Sequence, residues 1–592
     1  MRHIIDPRQT QLLDPFKPVF SPAAWKAIQE GWYGVFRHVI LSALERPVGV
    51  LAQHFCPDNG TPTKELYSMA GLLLIKDFMH WTHEGAADAY MFHAAVQYAL
   101  NLTPCGQSLC ARTIQRYEKH FVEDEGGQWV MDDVTTRLAR ALETVMAQQR
   151  LDSTHVFSDM ATFARTRLMG VTIKRFLTQV KRHERVLYDG LPSELRERYE
   201  PSQGRLFGEV KTSEGRSHLR QQVAEEMYWL VDRFAEEGTI NGRKTYKDLV
   251  KVFEQQCTVK TEKAEVEGVE KVTRSVVVRK KTGGNVIQNP SDEGATLDGH
   301  KGPGYQVQVA ETCSPKNEVQ LVTVAIPQTA VEGDPNSMGE VLDRLEETKR
   351  MPEDLRADGS YGSDKNVQEC ARRGVELISP ASVGVSEGTD PKANLLAEFE
   401  VDGETGKVTR CPAGHAPLYS AYDGKKEKTH VSMAREVCAA CPRLESCPVQ
   451  PRRKRYVVHF TQKRMRLAVR RRAEQTPEFR DRYRKRSGIE STHSGVKRRT
   501  GLGRLRVRGR ERVFHKIWMK YAGWNILRAA SSETLRAKVS KMVDMARKAG
   551  SFCRFGAFRC LLFHVHRLLG SSPGLSRANA LPILSPVLSR AA

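Results

Sequence analysis

The chain has 592 residues, 92 Lys and Arg against 70 Asp and Glu, a formal net charge of +22, and 40% hydrophobic residues. That length holds roughly three to four domains with sizeable cores, and so basic a balance suits a polyanionic partner. Residues 1–7 lack the apolar core of a signal peptide and no run reaches the length of a membrane span, so a cytoplasmic protein is expected. The 12 cysteines are scattered apart from one cluster, which argues against a secreted disulfide framework.

Residues 1–60 read as an amino-terminal extension and 61–145 as a helical domain. A helix over 64–79 carries Leu66, Met69, Leu72, Leu73 and Phe78 on a broad apolar face. Ser108 is expected to cap a second helix, with Ile114, Tyr117 and Phe121 inward. Arg112, Gln115, Arg116 and Lys119 then face outward, as in a helix-turn-helix that binds DNA. An ordinary helical bundle fits the same pattern equally well.

The run 151–157 mixes polar with β-branched and aromatic residues and predicts a short strand carrying Asp152. An insertion over 164–299 follows. It is helical over 171–235, then charged with alternating apolar residues over 259–298, and 283–304 looks like a loop; no chemistry can be assigned to it. Residues 305–312 and 319–326 alternate on either side of the turn Ser314-Pro315-Lys316-Asn317 and predict an antiparallel hairpin. A helix over 338–349, a strand ending at Asp358 with the glycine-rich turn 359–363, a helix over 364–373 and a strand over 375–378 come next.

A Cys-rich insertion spans 384–475. Cys411, Cys438, Cys441 and Cys447 include a Cys-x2-Cys pair and suit a tetrahedral structural Zn²⁺, with His415 able to replace one thiolate. Over 476–500, Thr476 as N-cap, Pro477 at the first position and Gly501 beyond the end predict a helix. On it Tyr483, Arg486, Glu490 and Lys497 stand at offsets that share an arc of about 60°, in a stripe roughly 21 Å long. Gly488 and Gly495 fall nearly opposite, where they would let another element pack closely. Residues 452–512 hold roughly two dozen Lys and Arg against about five acids. Val513, Ile517, Tyr521, Trp524 and Leu527 make one face of a further core helix, and 532–592 reads as a basic tail.

A carboxylate amid Arg and Lys repels phosphate, but it becomes useful once it holds a divalent metal, which points to phosphoryl transfer on nucleic acid. The spacing Tyr-x2-Arg-x3-Glu-x6-Lys resembles that of the DDE transposases of bacterial insertion sequences, in the branch with a Tyr-Arg-Glu-Lys signature. The resemblance implies an α/β, RNase H-like catalytic domain, a mixed five-stranded sheet with flanking helices. Insertions would divide it into 146–163, 300–383 and the carboxy-terminal helices over 476–531.

It further implies that Asp152, Asp358 and Glu490 are catalytic and hold two Mg²⁺ or Mn²⁺ ions roughly 3.5 to 4 Å apart, with Asp152 bridging both. Asp159 competes with Asp152 for that role. Asp334 resembles a recurrent polar position of the family and reads equally well as a turn residue. Tyr483, Arg486 and Lys497 would grip phosphates, and Arg498, Arg499, Arg504, Arg506 and Arg508 would extend that surface. The implied partners are double-stranded DNA, as transposon ends and as target, and a second copy of the chain assembled on DNA, in the bacterial cytoplasm at the nucleoid. Two other readings stand beside this one: a DNA-binding repressor or inactive relic without catalysis, and an RNase H-like nuclease that cuts without joining.

Overall fold

The computed structural model describes residues 1–8, 14–104, 106–161, 163–201, 206–208, 210, 212–266, 269–382 and 391–552. Leu66–Phe78 (α1) is apolar nearly all round and is buried along its whole length. Glu65 caps it by accepting from the backbone N–H groups of Tyr67 and Ser68 at 3.0 and 2.6 Å. Ala111–Glu123 (α2) buries Ile114, Tyr117 and Phe121 and leaves Arg112, Gln115, Arg116 and Lys119 exposed. Its N-cap is Cys110, not the expected Ser108. Lys64 Nζ donates to the Ser108 hydroxyl at 3.3 Å, and Leu109 turns into the core, which keeps the chain extended past Ser108. Gly126–Ala141 (α3) follows.

Gln148–Val156 (β1) is the centre of the main sheet. Gly302–Thr312 (β2) pairs antiparallel with β1, and Val322–Thr329 (β3) antiparallel with β2. On the other side Asp354–Ala357 (β4) runs parallel to β1, and Glu376–Ile378 (β5) parallel to β4. Met338–Glu347 (α4) precedes β4, and Asp364–Arg372 (α5) links β4 to β5. The order β3-β2-β1-β4-β5, three antiparallel strands then two parallel ones with helices alongside, is RNase H-like; a sixth short strand, Thr296–Asp298, pairs antiparallel with the start of β2 inside the stretch read as a loop. The expected hairpin is therefore present, with its second strand beginning three residues later than the alternation suggested.

Two insertions interrupt this domain. Between β1 and β2 lies a helical unit with its own core, including Phe176, Met227 and Leu249, and a long hairpin, Cys257–Val266 with Val269–Val278. Between β5 and the last helices, Tyr419–Asp423, Lys428–Ala434, Arg455–Thr461 and Gln450–Pro451 form a four-stranded antiparallel sheet in that order. Gln462–Ala473 (α6) leads back from it.

Pro477–Arg484 (α7) and Gly488–Thr500 (α8) occupy the stretch read as one helix. Thr476 caps it at 3.2 Å to the Phe479 N–H, and Gly501 ends it at φ +68°, as expected. Between them Lys485–Ser487 tightens to a 3₁₀ turn. Arg150 on β1 accounts for the tightening: its Nη1 donates to the Lys485 carbonyl at 3.2 Å, the oxygen a regular helix would offer to Ile489. A Cβ on Gly488 would lie 1.9 Å from that same nitrogen, and one on Gly495 would lie 2.5 Å from the Trp524 ring. Both glycines thus permit close approach from behind the helix.

Arg510–Ala529 (α9) runs under the sheet and joins the two halves of the molecule. Leu72 and Leu138 from the amino-terminal helices, Val309 from β2, Ile489 from α8 and Ile517 from α9 belong to one hydrophobic core. Gly523 lies against α1, where a Cβ would sit 2.1 Å from the Phe78 Cβ. Neither atom can swing aside, so Gly523→Ala is expected to cost about 1–3 kcal/mol through overpacking. A urea midpoint within error of wild type would contradict that close fit. The carboxy-terminal tail read over 532–592 begins with the helix Glu533–Phe552, and from 553 onward it lies outside the described residues.

Candidate active site

The β1–β4 pairing matches Leu151 with Ala357, so the next residues of the two parallel strands, Asp152 and Asp358, emerge side by side. Asp358 leaves the end of β4 into a turn that holds it: the Ser360 N–H donates to Oδ1 at 2.8 Å, the Ser360 hydroxyl donates to the same atom, and the Ser379 hydroxyl donates to the Asp358 carbonyl. Asp334, at a short 3₁₀ turn before α4, accepts from Gln308 Nε2 at 3.0 Å. Glu490 stands in the first turn of α8, its side chain 64% exposed. Arg486 bridges the groups, with Nη1 3.3 Å from Asp152 Oδ2 and Nη2 3.1 Å from Glu490 Oε1.

The electrostatics mark the same place. Burial pushes the Asp152 carboxyl up to about 6, and Asp358 and Asp334 add to the rise against the Ser153 N–H and Arg486. Tyr361 lies fully buried beside the acids. Burial first, then Asp334, Asp152 and Asp358, hold its hydroxyl well above the usual range, so it stays protonated and donates to Gln308 Oε1. Excess negative charge gathered around one point, with a single guanidinium against it, fits a divalent cation held by oxygen ligands.

A buried ion pair supports the site from below and was not anticipated from the sequence. Arg150 pairs with Glu311 at 2.6 Å, the two side chains being 11% and 0% exposed. The other Glu311 oxygen accepts from the Thr492 hydroxyl at 2.7 Å. Arg150 is two residues before Asp152 and Thr492 two after Glu490, so this contact ties the acid-bearing strand to the acid-bearing helix. The only signal was a charge at each of two positions in otherwise half-apolar strands.

The remaining expected residues are placed as follows. Tyr483 is half-buried and its ring lies 5.8 Å from that of Phe479. Burial raises its pKa, Arg486 opposes this, and Asp358 and Asp152 reinforce it, which puts its hydroxyl at the edge of the acid cluster. Lys497 lies two turns along α8 from Glu490, half-buried, and burial together with Lys301 lowers its pKa. Arg498, Arg499, Arg504, Arg506 and Arg508 are all exposed on and after the end of α8. Arg508 pairs with Asp159 at 3.2 Å, on the surface. Cys411, Cys438, Cys441 and Cys447 are free thiols that line one cavity with His415, in the inserted β module.

Asp77, Glu118 and His515 stand within 4.8 Å of one another, the spacing of a metal site. Their charge is already balanced: Lys76 lies 2.9 Å from Asp77 and 2.8 Å from Glu118, and Lys516 contacts both acids. An ion there would have to displace two buried ammonium groups, so the cluster reads as a structural network joining α1, α2 and α9. Among the described residues no helix is long and apolar enough to cross a membrane.

A mixed sheet of RNase H order thus brings carboxylates from β1, β4 and a carboxy-terminal helix together, an arrangement that suits nucleotidyl transfer. Residues 410–530 match a protein-family model described as a transposase DDE domain, which supports a DDE transposase. The matched segment contains Glu490 and the four clustered cysteines, while Asp152 and Asp358 lie before it. No curated protein and no solved structure matches the chain.

Proposed function

We propose that this chain binds the ends of a mobile DNA element and catalyses metal-dependent cleavage and strand transfer, with Asp152, Asp358 and Glu490 as its catalytic acids. The observation that carries the reading is the convergence of Asp152, Asp358 and the Arg486-linked Glu490 from separate parts of the chain. Two Mg²⁺ or Mn²⁺ ions, when bound, would activate the attacking oxygen and stabilise the leaving one. Asp152 neighbours Asp358 through the strand register and is linked to Glu490 through Arg486, so these three carboxylates are the groups that would hold the ions. Arg486 would then release its carboxylates and turn its fork to a DNA phosphate, with Tyr483 beside it and Lys497 two turns further along the same strand of DNA. The exposed arginines after α8 continue this face, so binding should weaken steeply with salt. Two ends must be brought together, for which a homodimer assembled on double-stranded DNA is the natural unit, acting at the bacterial nucleoid.

The test is Mg²⁺-dependent nicking and joining of a DNA fragment carrying the element's ends, with wild type and Glu490→Gln side by side. The variant should still bind the DNA and lose about a hundredfold or more in both steps, on the order of 3 kcal/mol of barrier. Equal activity in both proteins would reduce the helix to a basic DNA-binding face. Cleavage without joined product would instead identify a nuclease, and binding without either a repressor or relic.

A further inference from the structure

The inserted β module is held by little apolar contact. Its core has nine buried residues, among them Phe399, Val431, Val458 and Phe460, and one of the nine is Cys438 itself. Units this small commonly need a cross-link or a metal to stay folded. The four cysteines are placed for one. Cys411 sits in a turn closed by its own N–H to the His415 carbonyl at 2.9 Å and by the Gly414 N–H to the Cys411 carbonyl at 2.8 Å. Cys438 and Cys441 bracket a second turn, with the Cys441 N–H 3.1 Å from the Cys438 carbonyl, and the Cys447 N–H closes a third onto Leu444 at 3.1 Å. Arg443 ties these turns together, its Nη1 donating to the Pro412 carbonyl at 3.0 Å.

We propose that Cys411, Cys438, Cys441 and Cys447 bind one Zn²⁺ as four thiolates, and that this ion fixes the module as a brace for the Asp358 loop. Exposure favours Cys411 over His415 among the cavity residues: the thiol is partly buried and the histidine exposed. The sulfurs are more widely spaced than in a closed site, since among the described residues no three of them come within 4.8 Å of one another. Tetrahedral ligation at about 2.3 Å therefore draws the three turns inward around the cavity.

The brace is α6. Arg466 pairs with Asp364 through two contacts of 2.9 and 2.7 Å, and Arg470 donates to the Gly362 and Ser379 carbonyls at 2.8 and 3.0 Å. Gly362 and Ser379 flank the Asp358 turn, and the Ser379 hydroxyl holds the Asp358 carbonyl. A module that loosens at its metal end loosens this clamp. The metal assignment stands apart from the proposed DNA chemistry, because it rests on the thiols and the small core alone.

The experiment is metal analysis of the full-length protein after gel filtration, followed by Co²⁺ exchange and absorption spectroscopy. One tightly held Zn²⁺ per chain and the intense charge-transfer and d–d bands of a four-thiolate Co²⁺ centre are expected, unchanged in His415→Ala. Cys441→Ser should lose the metal and open the segment 391–461 to proteolysis while the remainder of the chain stays resistant. Metal-free protein with four freely titratable thiols and the same protease pattern would overturn the proposal, as would a Co²⁺ spectrum that changes with His415→Ala. Zinc in a chain that fails to cut DNA would leave the ligation standing, and cleavage at the wild-type rate by zinc-free Cys441→Ser would overturn the brace.

Discussion

Asp152→Asn should abolish cleavage and joining, by three orders of magnitude or more, equivalent to roughly 4 kcal/mol of barrier. It should at the same time leave the metal-free protein slightly more stable. The side chain is 16% exposed and its pKa is pushed up to about 6 from 3.8, first by burial and then by Asp358 and Asp334. For an acid raised in the folded state, ionisation opposes folding. The penalty is complete above pH 6, shrinks as pH falls through 6, and is gone below about 3.8. The amide carries no such penalty, so at pH 7 without metal the variant should unfold later by about 1–2 kcal/mol, with the gap closing toward pH 4. Added Mg²⁺ should reverse the order by stabilising only the wild type. Equal metal-free stability at every pH would remove the burial penalty on this carboxylate, and a Mg²⁺ effect common to both proteins would remove Asp152 from the metal site.

Glu311→Ala is the second large effect, and here it falls on the fold. Removing this carboxylate leaves the Arg150 guanidinium buried without its partner, which typically costs about 3–5 kcal/mol. Thr492 loses its acceptor in the same step, so the contact between β1 and α8 weakens where the acids meet. Urea unfolding should show the loss, and the concentration of Mg²⁺ needed for half-maximal cleavage should rise because Glu490 is no longer held toward Asp152. Glu311→Gln keeps an oxygen for Thr492 and should recover part of both. A loss under about 1 kcal/mol for the alanine variant would show that Arg150 needs no buried counter-charge.

Local signals predicted local things well. Thr476, Pro477 and Gly501 bound their helix because capping is decided within one turn, and the alternation after Tyr305 found β2 although both faces of that strand are buried, because its polar positions, Gln306, Gln308 and Glu311, face polar partners rather than solvent. The side-by-side placement of Asp152 and Asp358 follows from a parallel register between residues 206 apart, which no local pattern encodes. For the same reason the 3₁₀ turn at Lys485–Ser487 was invisible: its cause is a guanidinium from a strand more than 330 residues earlier. Ser108 looked like a cap on composition, but an N-cap is set by where the chain turns, and Leu109 entering the core moved that point to Cys110. The β module hid behind its short strands and charged loops, and its cysteines were the one part of it that stood out.

The core shared by the amino-terminal helices, β2, α8 and α9 also decides how the molecule can be divided. A fragment starting after residue 145 would bare the side of α9 that packs on α1 and α3, including Gly523 opposite Phe78, so the half that carries the acids is not a separable cassette. The exposed face of α2 is consequently fixed in distance and angle to Glu490, as two marks on a ruler are. If that face reads a DNA end, the cut is located by measuring from the read sequence. Inserting a half turn of duplex between the two would then carry the scissile phosphate to the wrong side of the helix.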